Sequence, residues 1–93
     1  MDGTFKAREI IEEESFAAEK ERIAYSAKRL DEILFGITWV LCRKPESFPQ
    51  VPGLDLYLAK TDAFSDTPAV NVWFTFDDQH VHLLFIEIIS DSE

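Results

Sequence analysis

The spacing of apolar residues changes period part-way along the chain, and this orders the fold as helix first and sheet after. Phe16, Ile23, Leu30 and Ile37 recur every seven residues. Ala27, Leu34 and Leu41 form a second series four positions on from Ile23. Together they draw one apolar stripe, with charges opposite it as far as Glu32. This predicts one long helix from Ser15 to about Cys42. Ser15 is the expected N-cap, and Glu14 and Glu19 suit the positive end. Arg43 and Lys44 suit the negative end, and Pro45 forbids further turns. Gly36 costs about 1 kcal/mol inside a helix and is the expected place for a kink or a break into two helices. The second half, from Ile33 to Leu41, is apolar nearly all round, which asks for burial on more than one side.

Beyond Pro52-Gly53 the period is two. Leu54, Leu56 and Leu58 alternate with Asp55, Tyr57 and Ala59. Val70, Val72, Phe74 and Phe76 share a face opposite Asn71, Trp73 and Thr75. A turn around Asp77-Asp78 leads into Val81, Leu83 and Phe85, which alternate with His82, Leu84 and Ile86. Three strands follow, at Leu54–Ala59, Val70–Phe76 and Val81–Ile88. The last is apolar on both faces and therefore central or covered. Thr61 to Pro68 reads as a polar loop. Phe5 to Glu12 fits either helix or strand; Ile10-Ile11 ahead of Ser15 tips it to a short edge strand. The expected class is α+β, a helix packed on an antiparallel sheet of three to four strands. Residues 1–93 form a single domain, with 1–4 and 90–93 as frayed ends.

Charge narrows the function. Residues 1–45 hold eight Lys/Arg against nine Asp/Glu, a net of −1, and residues 46–93 hold Lys60 against nine Asp/Glu, a net of −8. These sum to the chain's −9. Nucleic-acid binding draws its affinity from neutralised phosphates and needs a basic face, so direct binding is disfavoured. The basic residues of the helix and its end (Lys20, Arg22, Lys28, Arg29, Arg43, Lys44) alternate with Glu19, Glu21, Asp31 and Glu32, as on a solvated helix face with paired charges. No stretch nears the ~20 apolar residues of a membrane span. The first residues lack the apolar core of a signal peptide. A lone Cys42 cannot close an internal disulfide. A cytoplasmic protein with no membrane association is expected.

Few residues carry the marks of chemistry. His80 and His82 lie two apart on a strand and share a face, which suits two metal ligands. Cys42 and a carboxylate would have to complete the set, and no other spacing supports that, so exposed hairpin histidines are the plainer reading. Asp77-Asp78 reads as turn chemistry. Cys42 beside Arg43 and Lys44 has the setting of an activated thiol, but a small buried helix residue is the plainer reading. Trp39 and Trp73 are the kind of side chain that fills a core or an interface. There is no glycine-rich phosphate loop. No cofactor and no metal are expected.

The order strand, long helix, Pro-Gly turn and three-stranded meander resembles the RelE/ParE toxin superfamily of bacterial toxin–antitoxin systems. The resemblance spans about Arg8 to Ile88. It rests on Phe48-Pro-Gln-Val-Pro-Gly-Leu-Asp-Leu-Tyr-Leu-Ala-Lys60, on the paired strands from Val70 to Ile88, and on the step from strand to helix at Ser15-Phe16. It implies sheet residues that cleave mRNA on the ribosome, commonly with an Arg opening the penultimate strand. Asn71 stands at that position and Thr75 at the next basic one. The C-terminal end, where several members carry a His or Tyr, reads Ile88-Ile89-Ser90-Asp91. Phosphoryl cleavage needs a group that stabilises negative charge, plus an acid and a base. Lys60 and the nearby Tyr57 are the only catalytic candidates. The resemblance with these departures implies a silent relative acting by protein–protein contact, through an antitoxin-like peptide or a second copy, and the apolar half of the helix around Leu34, Phe35, Trp39 and Leu41 is the expected homodimer surface. The alternative is a working toxin, an endoribonuclease held by an antitoxin, with a basic cleft built from Lys20, Lys28, Lys60, Arg43 and Lys44.

Overall fold

The computed structural model describes residues 7–23, 30–61 and 69–89. Strand β1 (Glu9–Glu12) comes first, as the Ile10-Ile11 pair suggests. Helices α1 (Glu14–Ile23) and α2 (Leu30–Leu41) follow, then a 3-10 turn at Pro45–Ser47. Strands β2 (Tyr57–Lys60), β3 (Ala69–Phe76) and β4 (His80–Ile89) complete the order. The expected single helix is thus described in two parts. Its middle, residues 24–29, lies outside the described residues, and so do Ala27, Lys28, Arg29, most of the Thr61–Pro68 loop and the ends expected to fray.

The fold is mixed α+β. Its sheet has four strands in the order β1-β4-β3-β2, with β1 parallel to β4 and the other pairs antiparallel. The last strand is therefore central, as its apolar content on both faces requires. Both helices bury one stripe on one side of the sheet. Phe16 and Ile23 from α1, and Leu30, Leu34, Ile37 and Leu41 from α2, meet Ala59, Val70, Val72, Phe74, Val81, Leu83 and Ile86 in one core. The seven-residue series read from the sequence is the helical half of that core. No helix of the described residues is long and apolar enough to cross a membrane.

Four local expectations are corrected. First, α2 runs through Gly36 without a break. The expected break is unnecessary because the loss of helix propensity there is small beside the burial of Leu34 and Ile37 on either side.

Second, the strand expected at Leu54 starts at Tyr57. Pro52-Gly53 forms a turn in which Gly53 takes φ 80° and Leu54 N–H donates to Val51 O at 3.1 Å, the pattern of a type II turn. Val51 N–H then donates to Leu56 O at 2.7 Å, and Gln50 pairs with Tyr57. The turn holds Leu54 to Leu56 out of the sheet and leaves Leu54 54% exposed.

Third, Ser15 is inside α1 rather than its cap. Ala17 N–H donates to Glu13 O at 2.9 Å, so Glu13 opens the helix. The Ser15 hydroxyl donates instead to Leu84 O at 2.5 Å.

Fourth, β4 carries a bulge. Trp73 faces Phe85 and Phe74 faces Leu83, which leaves Leu84 as the extra residue. The alternation flips there. Val81 and Leu83 point to the core before the bulge, and Ile86 does so after it, while Phe85 turns to the other face. Ser15 binds the carbonyl of that extra residue.

Candidate functional site

The sheet face turned away from the helices has no layer over it among the described residues. Strand alternation and the bulge place Glu9 and Ile11 of β1 there, with His80, His82, Phe85 and Glu87 of β4, Asn71, Trp73 and Thr75 of β3, and Leu58 and Lys60 of β2. The expected antiparallel sheet is in fact mixed, with β1 parallel to β4, but its antiparallel pairs β4-β3 and β3-β2 tolerate one open face when that face carries polar groups. This one does so at both ends, with Trp73 and Phe85 paired between them.

The two expected catalytic candidates do not converge. Tyr57 and Lys60 are three apart on β2 and so project to opposite faces. The Tyr57 ring packs on Phe74 at 5.6 Å and Phe76 at 4.8 Å, on the core side. Lys60 is exposed and pairs in register with Asn71, whose amide donates to Glu87 Oε2 at 2.9 Å. The expected basic cleft is also dispersed. Lys20 bonds Glu12 Oε2 of β1 at 2.7 Å, whereas Lys60 is on β2 at the other edge, about 14 Å away across three strand spacings. Arg22 pairs with Glu19 at 2.6 Å, as a solvated helix face predicts, and lowers the Glu19 pKa through that hydrogen bond. Arg43 lies over the Trp39 ring at 4.1 Å. Lys28 falls outside the described residues.

The histidines, in contrast, are held in a cluster. Parallel pairing sets Glu9 beside His80 and Ile11 beside His82. Glu13, at the start of α1, continues this edge by donating its N–H to Leu83 O at 2.9 Å. Its carboxylate meets His82 Nδ1 at 2.7 Å. A carboxylate accepts, so this contact puts the ring proton on Nδ1 and leaves the Nε2 lone pair for another partner.

His80 stands 3.4 Å (Nδ1) from Asp77 Oδ1 and 3.8 Å (Nε2) from Glu9 Oε1. The two imidazole rings are 5.9 Å apart. Asp77 is fixed by the hairpin: its Oδ1 accepts from Gln79 N–H at 2.8 Å and His80 N–H at 2.7 Å. Those two bonds hold its carboxyl below the ordinary carboxylate value. Arg8 donates from Nε to Asp77 O at 2.6 Å and stacks over Phe76 at 5.3 Å, which braces the turn. Beside the cluster lies a depression of about 370 Å³ lined by Ala7, Glu9, Asp78, Gln79 and His80.

The His80/His82 pair was legible as two same-face ligands, for which Cys42 and a carboxylate would have had to complete the set. Cys42 is engaged elsewhere, receiving Arg43 Nη1 at 3.2 Å and lying 3.3 Å from Trp39 O. Asp77, read only as a turn residue, is the third member. Its spacing of three and five residues before the histidines was the available signal.

The outer face of α2 is a second feature. Leu34 and Leu41, expected at an interface, are in the core of the chain itself. Phe35 is 72% exposed and Trp39 53%. Between them a Cβ on Gly36 would meet no atom within 4 Å.

No protein-family model matches the chain, and no curated protein is similar to it.

Proposed function

We propose that this chain is a RelE/ParE-like domain without nuclease chemistry, which acts by protein–protein contact and pairs with a second copy of itself through the outer face of α2. The observation that carries the pairing is the stripe Asp31, Phe35, Trp39, Arg43, spaced four residues apart along α2 and its last turn. Its middle is aromatic and exposed, and its two ends carry opposite charges. Antiparallel pairing about a two-fold axis near residue 37 sets Phe35 of one copy against Trp39 of the other, and Asp31 against Arg43. Such a self-complementary patch is what a two-fold interface needs. Gly36 beside the aromatics allows two helix backbones to approach closely.

The likeness to the toxin superfamily rests on element order, with α1 and α2 standing for its helical segment and β2 to β4 for its meander. The absence of nuclease chemistry rests on Asn71 and Thr75 at the positions where that family carries cations. The separation of Tyr57 from Lys60 by the thickness of the sheet supports it. An acidic sheet half repels RNA at physiological salt.

Induced expression in a bacterial host tests this reading. Unimpaired growth with soluble, folded chain and intact cellular mRNA is the expected result. Growth arrest that a Lys60→Ala substitution relieves would replace it with the endoribonuclease toxin, held in check by an antitoxin.

A further inference from the structure

We infer that Asp77, His80 and His82 form a binding site for one divalent late-transition-metal ion of the zinc class, with Glu13 as the positioning residue for His82. One donor atom from each of the three ligands lies within 4.8 Å of the others. Around a tetrahedral zinc ion, with bonds of about 2.0–2.1 Å, donor atoms stand about 3.3 Å apart. The Asp77–His80 separation of 3.4 Å already has that value. The longer separations close by turning side chains that are 60%, 34% and 31% exposed for Asp77, His80 and His82, so packing does not oppose the movement.

The backbone supplies the rest of the preorganisation. Two residues apart on one strand, the imidazoles project to the same side, and the Asp77 carboxylate is tied to the same hairpin by its bonds to Gln79 and His80 N–H.

The contact between Glu13 and His82 is the second, independent observation. Metal-bound histidines regularly give their other ring N–H to a carboxylate, which sets the tautomer and raises the basicity of the ligating nitrogen. Glu13 does this at 2.7 Å from a different element, the start of α1. It leaves Nε2 of His82 as the ligand atom.

Donor chemistry selects the ion. Two imidazoles and one carboxylate suit zinc, nickel, copper or cobalt, whereas magnesium and calcium take oxygen ligands almost throughout. Three protein ligands also leave a coordination position open toward the depression that Glu9, Asp78 and Gln79 line with His80. The site sits on the open sheet face and does not depend on the α2 pairing.

Titration of the full chain with zinc chloride by calorimetry, and with cobalt chloride by visible absorption, tests the site. The expected result is saturation at one ion per chain, a tetrahedral cobalt spectrum, and no competition from magnesium in excess. His80→Ala and His82→Ala each abolish the cobalt spectrum while circular dichroism stays unchanged. Glu13→Gln keeps the stoichiometry and weakens affinity about 10–100-fold, the range for removal of a hydrogen-bond partner behind a ligand. In the metal-free chain the nitrogen-15 shifts of His82 report an Nδ1–H tautomer that Glu13→Gln releases, which a purely structural role for Glu13 on α1 would not alter. No binding at millimolar zinc overturns the proposal, as does full-strength binding in the His80→Ala/His82→Ala double variant or binding that Cys42→Ser removes instead.

Discussion

At the scale of single residues, Phe74 shows how the core is made. It is fully buried, and its ring meets those of Phe48, Tyr57 and Phe76 at 5.8, 5.6 and 6.3 Å. Phe74→Ala removes a ring from close-packed surroundings that relax only in part, at a cost of about 3–5 kcal/mol. Domains of this size are stable by about 5–15 kcal/mol, so urea unfolding should show a midpoint lowered by a large fraction of its value. Tyr57→Phe should change stability little, because the contacts shown for Tyr57 are made by its ring face. The alternation Val70, Val72, Phe74 was legible in the sequence because a strand repeats every two residues and nothing interrupts β3. The company His80 and His82 keep was not legible in the same way. Glu13 lies 69 positions from His82 and reaches it only because β1 pairs parallel with β4. No local pattern in the sequence announces that pairing.

At the scale of elements, the deviations from expectation share one cause: a period read from sequence assumes that the period continues. The bulge at Leu84 adds one residue to β4 and sends Phe85 to the open face and Ile86 to the core. In a strand apolar at every position from Val81 to Ile86 apart from His82, either register buries apolar groups, so composition could not choose between them. In the bulged register the Ser15 hydroxyl donates to Leu84 O, the carbonyl of the extra residue. The turn at Pro52-Gly53 was legible as a turn, but its closure through Val51 and Leu56 took three residues from β2.

Gly36 was read as a place for a kink or a break in one long helix, whereas α2 is continuous through it. An added Cβ there meets no atom within 4 Å. Gly36→Ala should therefore stabilise the isolated chain by about 1 kcal/mol through helix propensity alone, measured by urea unfolding at a concentration where the chain is monomeric. The same methyl group sits at the proposed closest approach of two helices and should weaken self-association. A substitution that strengthens folding and weakens pairing would separate the two roles.

At the scale of the whole molecule, the helices cover one side of the sheet and leave two surfaces of different character. The open sheet face carries the histidine cluster at one end and Lys60 with Asn71 and Glu87 at the other. The outer face of α2 carries exposed aromatics between opposite charges. A net charge of −9 keeps copies apart in general, so association demands a patch that is locally self-complementary. The α2 stripe meets that demand, and the sheet face, with Glu9 and Glu87 on it, does not. The proposed pairing runs through Phe35 and Trp39. Light scattering coupled to size exclusion, run on the chain and on its Phe35→Ser/Trp39→Ser variant, reads that pairing as mass. The expected mass is twice 10.7 kDa for the chain and 10.7 kDa for the folded double variant. A mass of 10.7 kDa for the unmodified chain at every concentration, or a dimer that the double substitution leaves intact, would contradict it.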